Sequence, residues 1–237
     1  EEFNDDGRIR WLIGDVRDEG RLLIAMHGVD VIVHAAAMKR IDACAFNVLE
    51  CVETNVGGTA NVIRACLKSH VKKAVILNTD KAVNPSTTYG FSKAMAERMF
   101  IEANSYSGKN GAKFSSCLYG NISGSTGSVI PIWRKILSSG DTVPVTDPDA
   151  TRFWMTVDEA CDLISNAIDN MKGGEVFKPK LSAYRLGDLA TAMGAKNMNI
   201  IGLAENEKKH EEMSPGETSD KAPRMSINEI QSAILKL

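Results

Sequence analysis

The run Lys73-Ala74-Val75-Ile76-Leu77-Asn78-Thr79-Asp80-Lys81, followed shortly by Tyr89-Gly90-Phe91-Ser92-Lys93, decides the fold of this chain. Val75-Ile76-Leu77 reads as a strand buried on both faces, the habit of a parallel sheet. Thr79-Asp80-Lys81 then falls at the strand's carboxyl end, where open α/β sheets gather functional groups. Asn84-Pro85-Ser86-Thr87 reads as a loop into a helix, with Ser86 or Thr87 as the cap. On that helix Tyr89 and Lys93 share one face, one turn apart. A lysine beside a phenol favours the phenolate and makes tyrosine usable as a base. The alternative is a half-buried helical tyrosine with a solvated lysine. Asp80 and Lys81, a second acid and base beside the first, weigh against it.

Outward from this run the pattern alternates. Strands are predicted at Ile9 to Ile13, Asp30 to His34, Lys73 to Asn78 and Lys113 to Tyr119. Helices are predicted at Glu19 to His27, Leu49 to Ser69 and Tyr89 to Tyr106. The alternation predicts an α/β fold, a doubly wound parallel sheet with helices on both faces. After Gly120 the texture changes. A loop at Gly124 to Ser128 leads to a helix that includes Trp133. Short strands follow around Thr142 to Val145, Glu175 to Phe177 and Asn199 to Gly202, with helices at Val157 to Met171, Leu186 to Met193 and Ser226 to Leu237. Residues 205–223 read as a charged loop. The expected organisation is a dinucleotide-binding Rossmann part over residues 1–125 and a smaller substrate lobe over residues 126–237, from which the chain crosses back to the sheet.

Composition narrows the function. The chain has 237 residues, 43% hydrophobic, with a formal net charge of -2. No long basic run points to nucleic acid or an anionic membrane, and no apolar stretch approaches a membrane span. The five cysteines, Cys44, Cys51, Cys66, Cys117 and Cys161, form no Cys-x-x-Cys. They read as ordinary thiols of a cytoplasmic protein. The four histidines show no metal-ligand spacing, so no metal is expected. A dinucleotide fold opens with a Gly-rich turn before a helix. No such turn occurs in the first forty residues, which predicts that some tens of residues precede Glu1.

With these residues in hand, the chain resembles the extended short-chain dehydrogenase/reductases. More closely it resembles the UDP-N-acetylglucosamine 4,6-dehydratases of polysaccharide and flagellin-sugar biosynthesis. The matching stretches run in order from Gly14-Asp15-Val16-Arg17-Asp18 and His34-Ala35-Ala36-Ala37-Met38-Lys39 to Thr54-Asn55-Val56-Gly57-Gly58-Thr59 and Thr79 to Pro85. Tyr89 to Lys93, Tyr119-Gly120-Asn121, Gly124 to Val129, Thr151-Arg152-Phe153 and Glu207-Lys208-Lys209-His210-Glu211 complete the series. The resemblance implies NADP or NAD as cofactor. Asp15 and Val16 would line its adenine end, Ala35, Ala36 and Ala37 its middle, and Tyr89 and Lys93 its reacting end. Asn55 would help to hold the active-site water network. Tyr89, Thr79, Asp80 and Lys81 would act on the sugar. Tyr89 would take the C4 hydroxyl proton, Lys81 the C5 proton, and Asp80 would protonate the departing C6 hydroxyl. Lys39, Asn121, Ser128, Val129, Arg152, Lys208 and His210 would bind the nucleotide sugar, Arg152 and Lys208 as cations for its diphosphate. Tyrosine at position 89 points to inversion at C5, and the family implies a homo-oligomer. Three positions where the family usually has arginine hold Leu118, Thr126 and Ala204. The substrate shell is therefore less certain than the catalytic centre. An epimerase or reductase on the same scaffold, and a non-catalytic nucleotide-binding protein, stay open.

Overall fold

The structure, a computed structural model, describes residues 6–237. Its centre is a parallel sheet in the order β1-β2-β3-β6, formed by β1 (Val31–His34), β2 (Lys73–Thr79), β3 (Lys113–Tyr119) and β6 (Val176–Phe177). The apolar run of β2 explains its central place, because Ala74, Val75 and Ile76 are all fully buried. One face is covered by α4 (Gly58–Lys68) and α5 (Thr88–Glu102). There Phe100 meets Phe114 edge to face at 5.1 Å, over Val62, Ile63 and Ile76. The other face carries α8 (Val157–Asn170), with Ala167 and Met171 on Val75 and Cys117. A Thr156–Glu159 capping box starts α8. The doubly wound α/β reading holds for this sheet.

Before the sheet come α1 (Glu19–Ala25), capped by Asp18, then α2 (Ile41–Phe46) and α3 (Val48–Val52) beyond β1. Between β2 and β3 the short α6 (Asn104–Ser107) follows α5. The second core gathers α7 (Val129–Ser138), β4 (Val143–Val145), α9 (Leu186–Ala192) and α10 (Ile227–Ile234) around Trp133, Trp154, Tyr184 and Leu189. Here β4 runs parallel to β8 (Met198–Ile200). An antiparallel pair, β5 (Thr151–Phe153) and β7 (Ala183–Arg185), brings Arg152 opposite Tyr184. β9 (Glu212–Ser214) and β10 (Glu217–Thr218) form a small antiparallel ribbon.

Four sequence expectations are corrected. Ile9 to Ile13 forms no strand, and Trp11 and Ile13 stand largely exposed. Its alternation lacks a partner strand among the described residues. The helix expected over Leu49 to Ser69 is interrupted by a π turn at Glu53–Gly57. The helix expected to run to Tyr106 breaks after Glu102, with the short α6 beyond. The charged stretch 205–223 contains the β9–β10 ribbon. β5, β7 and α2 were too short to carry a periodic signal.

Candidate active site

The site begins where β2 ends. Thr79 caps a single 3₁₀ turn, Asp80–Ala82, which turns the chain at the sheet's carboxyl edge. Thr87 caps α5, accepting from Gly90 N–H at 3.1 Å, and Pro85 precedes it. A Cβ on Gly90 would fall inside 3.0 Å of the Lys81 carbonyl. Only glycine lets α5 start this close to the turn, and this approach sets Tyr89 beside Thr79, Asp80 and Lys81.

Asp80 is fully buried. One of its carboxylate oxygens accepts from Thr79 Oγ1 at 3.0 Å and Lys81 Nζ at 3.1 Å; the other has no partner. Burial, with Glu211 nearby, holds Asp80 above the ordinary carboxylate range despite Lys81. The Lys81 ammonium lies between two carboxylates, Asp80 and Glu211, each 3.1 Å away. Burial alone would lower Lys81, but these two charges outweigh it and hold it above the ordinary lysine value. Glu211 is itself buried, with one oxygen unpartnered. Burial would raise it, yet Lys81 and Arg152 keep it low. Arg152 pairs with Glu207 at 2.7 Å and lies 3.8 Å from Glu211. Asp80, Lys81, Glu211, Arg152 and Glu207 thus form one continuous charge chain.

Tyr89 departs from expectation. Burial pushes its phenol up to about 12, and the cation that opposes this is Lys81 rather than Lys93. Lys93 donates to the Leu77 carbonyl at 2.7 Å, and burial brings it down to about 8 against the pull of Glu97. Glu97 accepts hydrogen bonds from Asn78 Nδ2 and Ser116 Oγ. The neighbouring His34, buried and bonded to Thr59 Oγ1 at 3.0 Å, is lowered to about 4 by burial and by Lys93.

Two cavities meet at Asn121. The first, of about 370 Å³, is lined by Ala35, Ala37, Lys39, Thr79, Lys81, Tyr89, Lys93 and Asn121, with Tyr119 and Gly120. The second, of about 240 Å³, is lined by Asn121, Ser128, Val129, Trp133, Arg152, Tyr184 and Glu207. Asn121 Oδ1 and Ser128 Oγ are both buried there without partners. Two orphaned polar atoms in one cavity are an opening for a ligand's hydrogen bonds.

Several expected site residues lie elsewhere. Asp15 is ion-paired with Arg17 at 2.8 Å, and Val16 covers Gly58; neither lines either cavity. Ala36 is exposed. Asn55 sits in the π turn, and its amide bonds both the N–H and the carbonyl of Met38, at 2.7 and 3.1 Å, and Ser92 Oγ at 2.9 Å. It therefore ties the Ala35–Lys39 loop to α5. Lys208 donates to the Val83 carbonyl, and His210 bonds Thr151 Oγ1 at 2.8 Å. Sequence reasoning did not single out Glu97, Glu207, Glu211, Trp133 or Tyr184. For the acids at 207 and 211 the signal was available, since both lie in the quoted Glu207–Glu211 stretch.

A doubly wound sheet with Tyr89, Lys93, Asp80 and Lys81 at its carboxyl edge defines an extended short-chain dehydrogenase/reductase scaffold. A family model described as polysaccharide biosynthesis protein matches residues 2–232, and the chain belongs to that family. It is 41% identical over 214 residues to the UDP-N-acetylglucosamine 4,6-dehydratase (inverting) of Campylobacter jejuni strain 81-176, covering 89% of this chain and 64% of that protein. It is 36% identical over 220 residues to the UDP-glucose 4-epimerase of Rickettsia canadensis, covering 91% of this chain and 64% of the relative. The chain therefore spans less than two thirds of the length of either. Among solved structures, Pen from Bacillus thuringiensis superposes with a TM-score of 0.92 at 34% identity, covering 100% of this chain and 85% of that one.

Proposed function

We propose that this chain belongs to an NADP- or NAD-dependent nucleotide-sugar 4,6-dehydratase that acts on UDP-N-acetylglucosamine with inversion at C5. The observation that carries the reading is the Asp80–Lys81 pair, set beside Tyr89 at the strand end with Lys81 facing the cavity that Tyr89 lines. An elimination needs an acid and a base on neighbouring carbons in addition to the group that serves C4. Asp80, raised by burial, has the character of an acid for the C6 hydroxyl. Lys81 reaches the cavity from the same turn and would serve as the base at C5. Tyr89 would take the C4 hydroxyl proton, its phenolate favoured by the Lys81 ammonium. The inverting relative at 41% identity supports this assignment.

The residues fit the reacting half of a dinucleotide. Ala35 and Ala37 present small side chains to the cavity, and Lys93 offers a charged donor next to Tyr89. Bound there, the dinucleotide would take hydride from C4 and return it to C6. Tyr89 and Lys93 would hold its nicotinamide ribose, and Asp15 and Val16 would serve its adenine end. Asn121, Ser128, Val129 and Arg152 would receive the nucleotide part of the substrate in the second cavity, with Lys39 on the first. Lys208 and His210, bonded to Val83 and Thr151, would contribute by ordering that wall. We divide the chain into a cofactor-binding part over residues 1–125 and mainly a substrate lobe over 126–237. The five free thiols support a cytoplasmic setting. Among the described residues no helix is long and apolar enough to cross a membrane.

The epimerase relative supports a second reading, C4 epimerisation. Incubation with UDP-N-acetylglucosamine in deuterated water, read by NMR, separates the two. A 6-deoxy-4-keto sugar with inverted, deuterated C5 is expected, and Lys81→Ala should abolish it. A C4 epimer with no deuterium at C5 would establish the second reading in its place.

A further inference from the structure

Lys81 carries two incompatible demands. Beside Tyr89 it must be charged, since its ammonium is the cation that favours the phenolate. At C5 it must be a neutral amine, since only a free lone pair accepts a carbon-bound proton. Asp80 and Glu211 each lie 3.1 Å from its ammonium, and once Asp80 carries the proton it delivers to C6, Glu211 is the carboxylate that holds Lys81 charged.

We propose, on the reading of the site as a dehydratase, that Glu211 is a positioning residue that takes the Lys81 ammonium proton between these two steps. The Lys81 Nζ–H bond breaks and a Glu211 Oε1–H bond forms. The freed amine lone pair then accepts the C5 proton, which restores the ammonium. Asp80 loses its proton to the departing C6 hydroxyl as water leaves. It is reprotonated by the proton that Glu211 took, passed back through Lys81. Over the elimination one proton enters the cluster from C5 and one leaves it from Asp80 in the water, so the cluster ends with the protons it began with. The geometry suits this transfer. Glu211 Oε1 is the oxygen that faces Lys81, and Oε2 is buried without a partner. Glu211 N–H donates to Ser219 Oγ at 2.9 Å, which fixes its backbone.

The same carboxylate connects the base to the substrate's anion. Arg152 lies 3.8 Å from Glu211 and lines the cavity assigned to the nucleotide. A diphosphate drawn to Arg152 would offset the cation that keeps Glu211 ionised, and a carboxylate relieved of a neighbouring cation binds a proton more readily. Binding of substrate would thus ready Glu211 to discharge Lys81. The groups that bear on this equilibrium are few. Asp80 and Lys81 lie on the 3₁₀ turn, Tyr89 on α5, Arg152 on β5 and Tyr184 on β7, with Glu207 and Lys208 on the stretch before Glu211 itself.

The test follows exchange of the C5 hydrogen in the 4-keto-6-deoxy UDP-sugar product, in deuterated water by NMR, from pH 6 to 10. This exchange needs Lys81 but not hydride transfer. The expected result is a wild type that varies little with pH, and a Glu211→Gln variant slowed at pH 7 by about 10²-fold, the lower end of acid–base contributions. The variant should recover as pH rises, because solvent then discharges a Lys81 that has lost one counter-charge. Glu211→Asp keeps a carboxylate and should retain more activity at pH 7 than Glu211→Gln. Glu211→Gln exchange equal to wild type at pH 7 would overturn the proposal. So would a loss of the same size at every pH, which marks a purely structural role. A wild type that neither dehydrates the sugar nor exchanges C5 removes the dehydratase reading itself, an outcome distinct from a normal wild type with an indifferent Glu211.

Discussion

Gly90→Ala tests whether the approach of α5 to the Asp80–Ala82 turn sets the site. In an open helix this change should stabilise by up to about 1 kcal/mol, because glycine costs that much relative to alanine. Here the added Cβ would press on the Lys81 carbonyl, with Pro85 Cβ at 3.1 Å and Thr87 Oγ1 at 3.3 Å closing the other sides. The nearest obstacle is backbone, which cannot rotate away. Normal carbon contact would require a retreat of roughly 1 Å. Overpacking of this kind costs about 1–3 kcal/mol. The same retreat carries Tyr89 away from Lys81, and a displacement near 1 Å in a catalytic constellation costs about 10²-fold in rate. Gly57→Ala is the internal control. It sits in helical backbone with nothing nearer its Cβ than the Val52 carbonyl at 3.9 Å, so stability should rise and turnover stay. Urea unfolding gives the first quantity and initial rates of keto-sugar formation the second. A Gly90→Ala protein as stable and as fast as wild type would show that contact between α5 and the turn does not set the site.

Burial also sets a pH dependence. His34 is held at about 4 in the fold against 6.5 outside it. The unfolded chain then binds the extra proton first, so stability falls as pH drops from 6.5 to 4, by on the order of 3 kcal/mol. His34→Gln should flatten that decline in denaturant titrations, and an unchanged slope would refute the assignment. Lys93, at about 8 against 10.5, behaves alike in a higher window: its destabilisation is complete below pH 8 and fades as pH rises to 10.5. A last expectation concerns assembly. Phe46 and Leu49, on or beside α2 and α3, stand 89% and 77% exposed, and Phe91 and Met95 on the adjoining α5 stand 59% and 54% exposed. Apolar patches of this kind mark interaction sites. A Phe91→Asp, Met95→Asp protein should have a lower mass by light scattering than wild type, and equal masses would count against this face.

The central sheet was legible because its signal is local. Val75 to Leu77 is a continuous apolar run, and Phe114, Cys117 and Leu118 frame two buried serines in the strand beside it. The π turn at Glu53–Gly57 was hidden for a physical reason. Its residues keep helical spacing and propensity, and the extra residue per turn is stabilised by what Asn55 finds across space, the Met38 backbone and Ser92. In the second lobe β5, β7, β9 and β10 went unread for another reason, being only two or three residues long, too short for alternation to register.

The residues proposed as catalytic separate along the same line. Thr79, Asp80, Lys81, Tyr89 and Lys93 lie within fifteen residues and could be read as a group, since a strand end and a helix start bring them together. Their charge states could not. From spacing alone Lys93 was the cation for Tyr89. In the fold Lys93 turns to the Leu77 carbonyl, and Lys81 takes that place. Lys81 is held charged by Asp80 beside it and by Glu211, 130 positions further along the chain, carried back to the turn by the stretch that leads into β9. Arg152 shows the same dependence. Its pairing with Glu207 and Glu211 balances a charge that would otherwise be costly to bury. A carboxylate cluster with two cations can hold its protons in more than one arrangement. That property belongs to the assembled site, and no segment of the chain contains it alone.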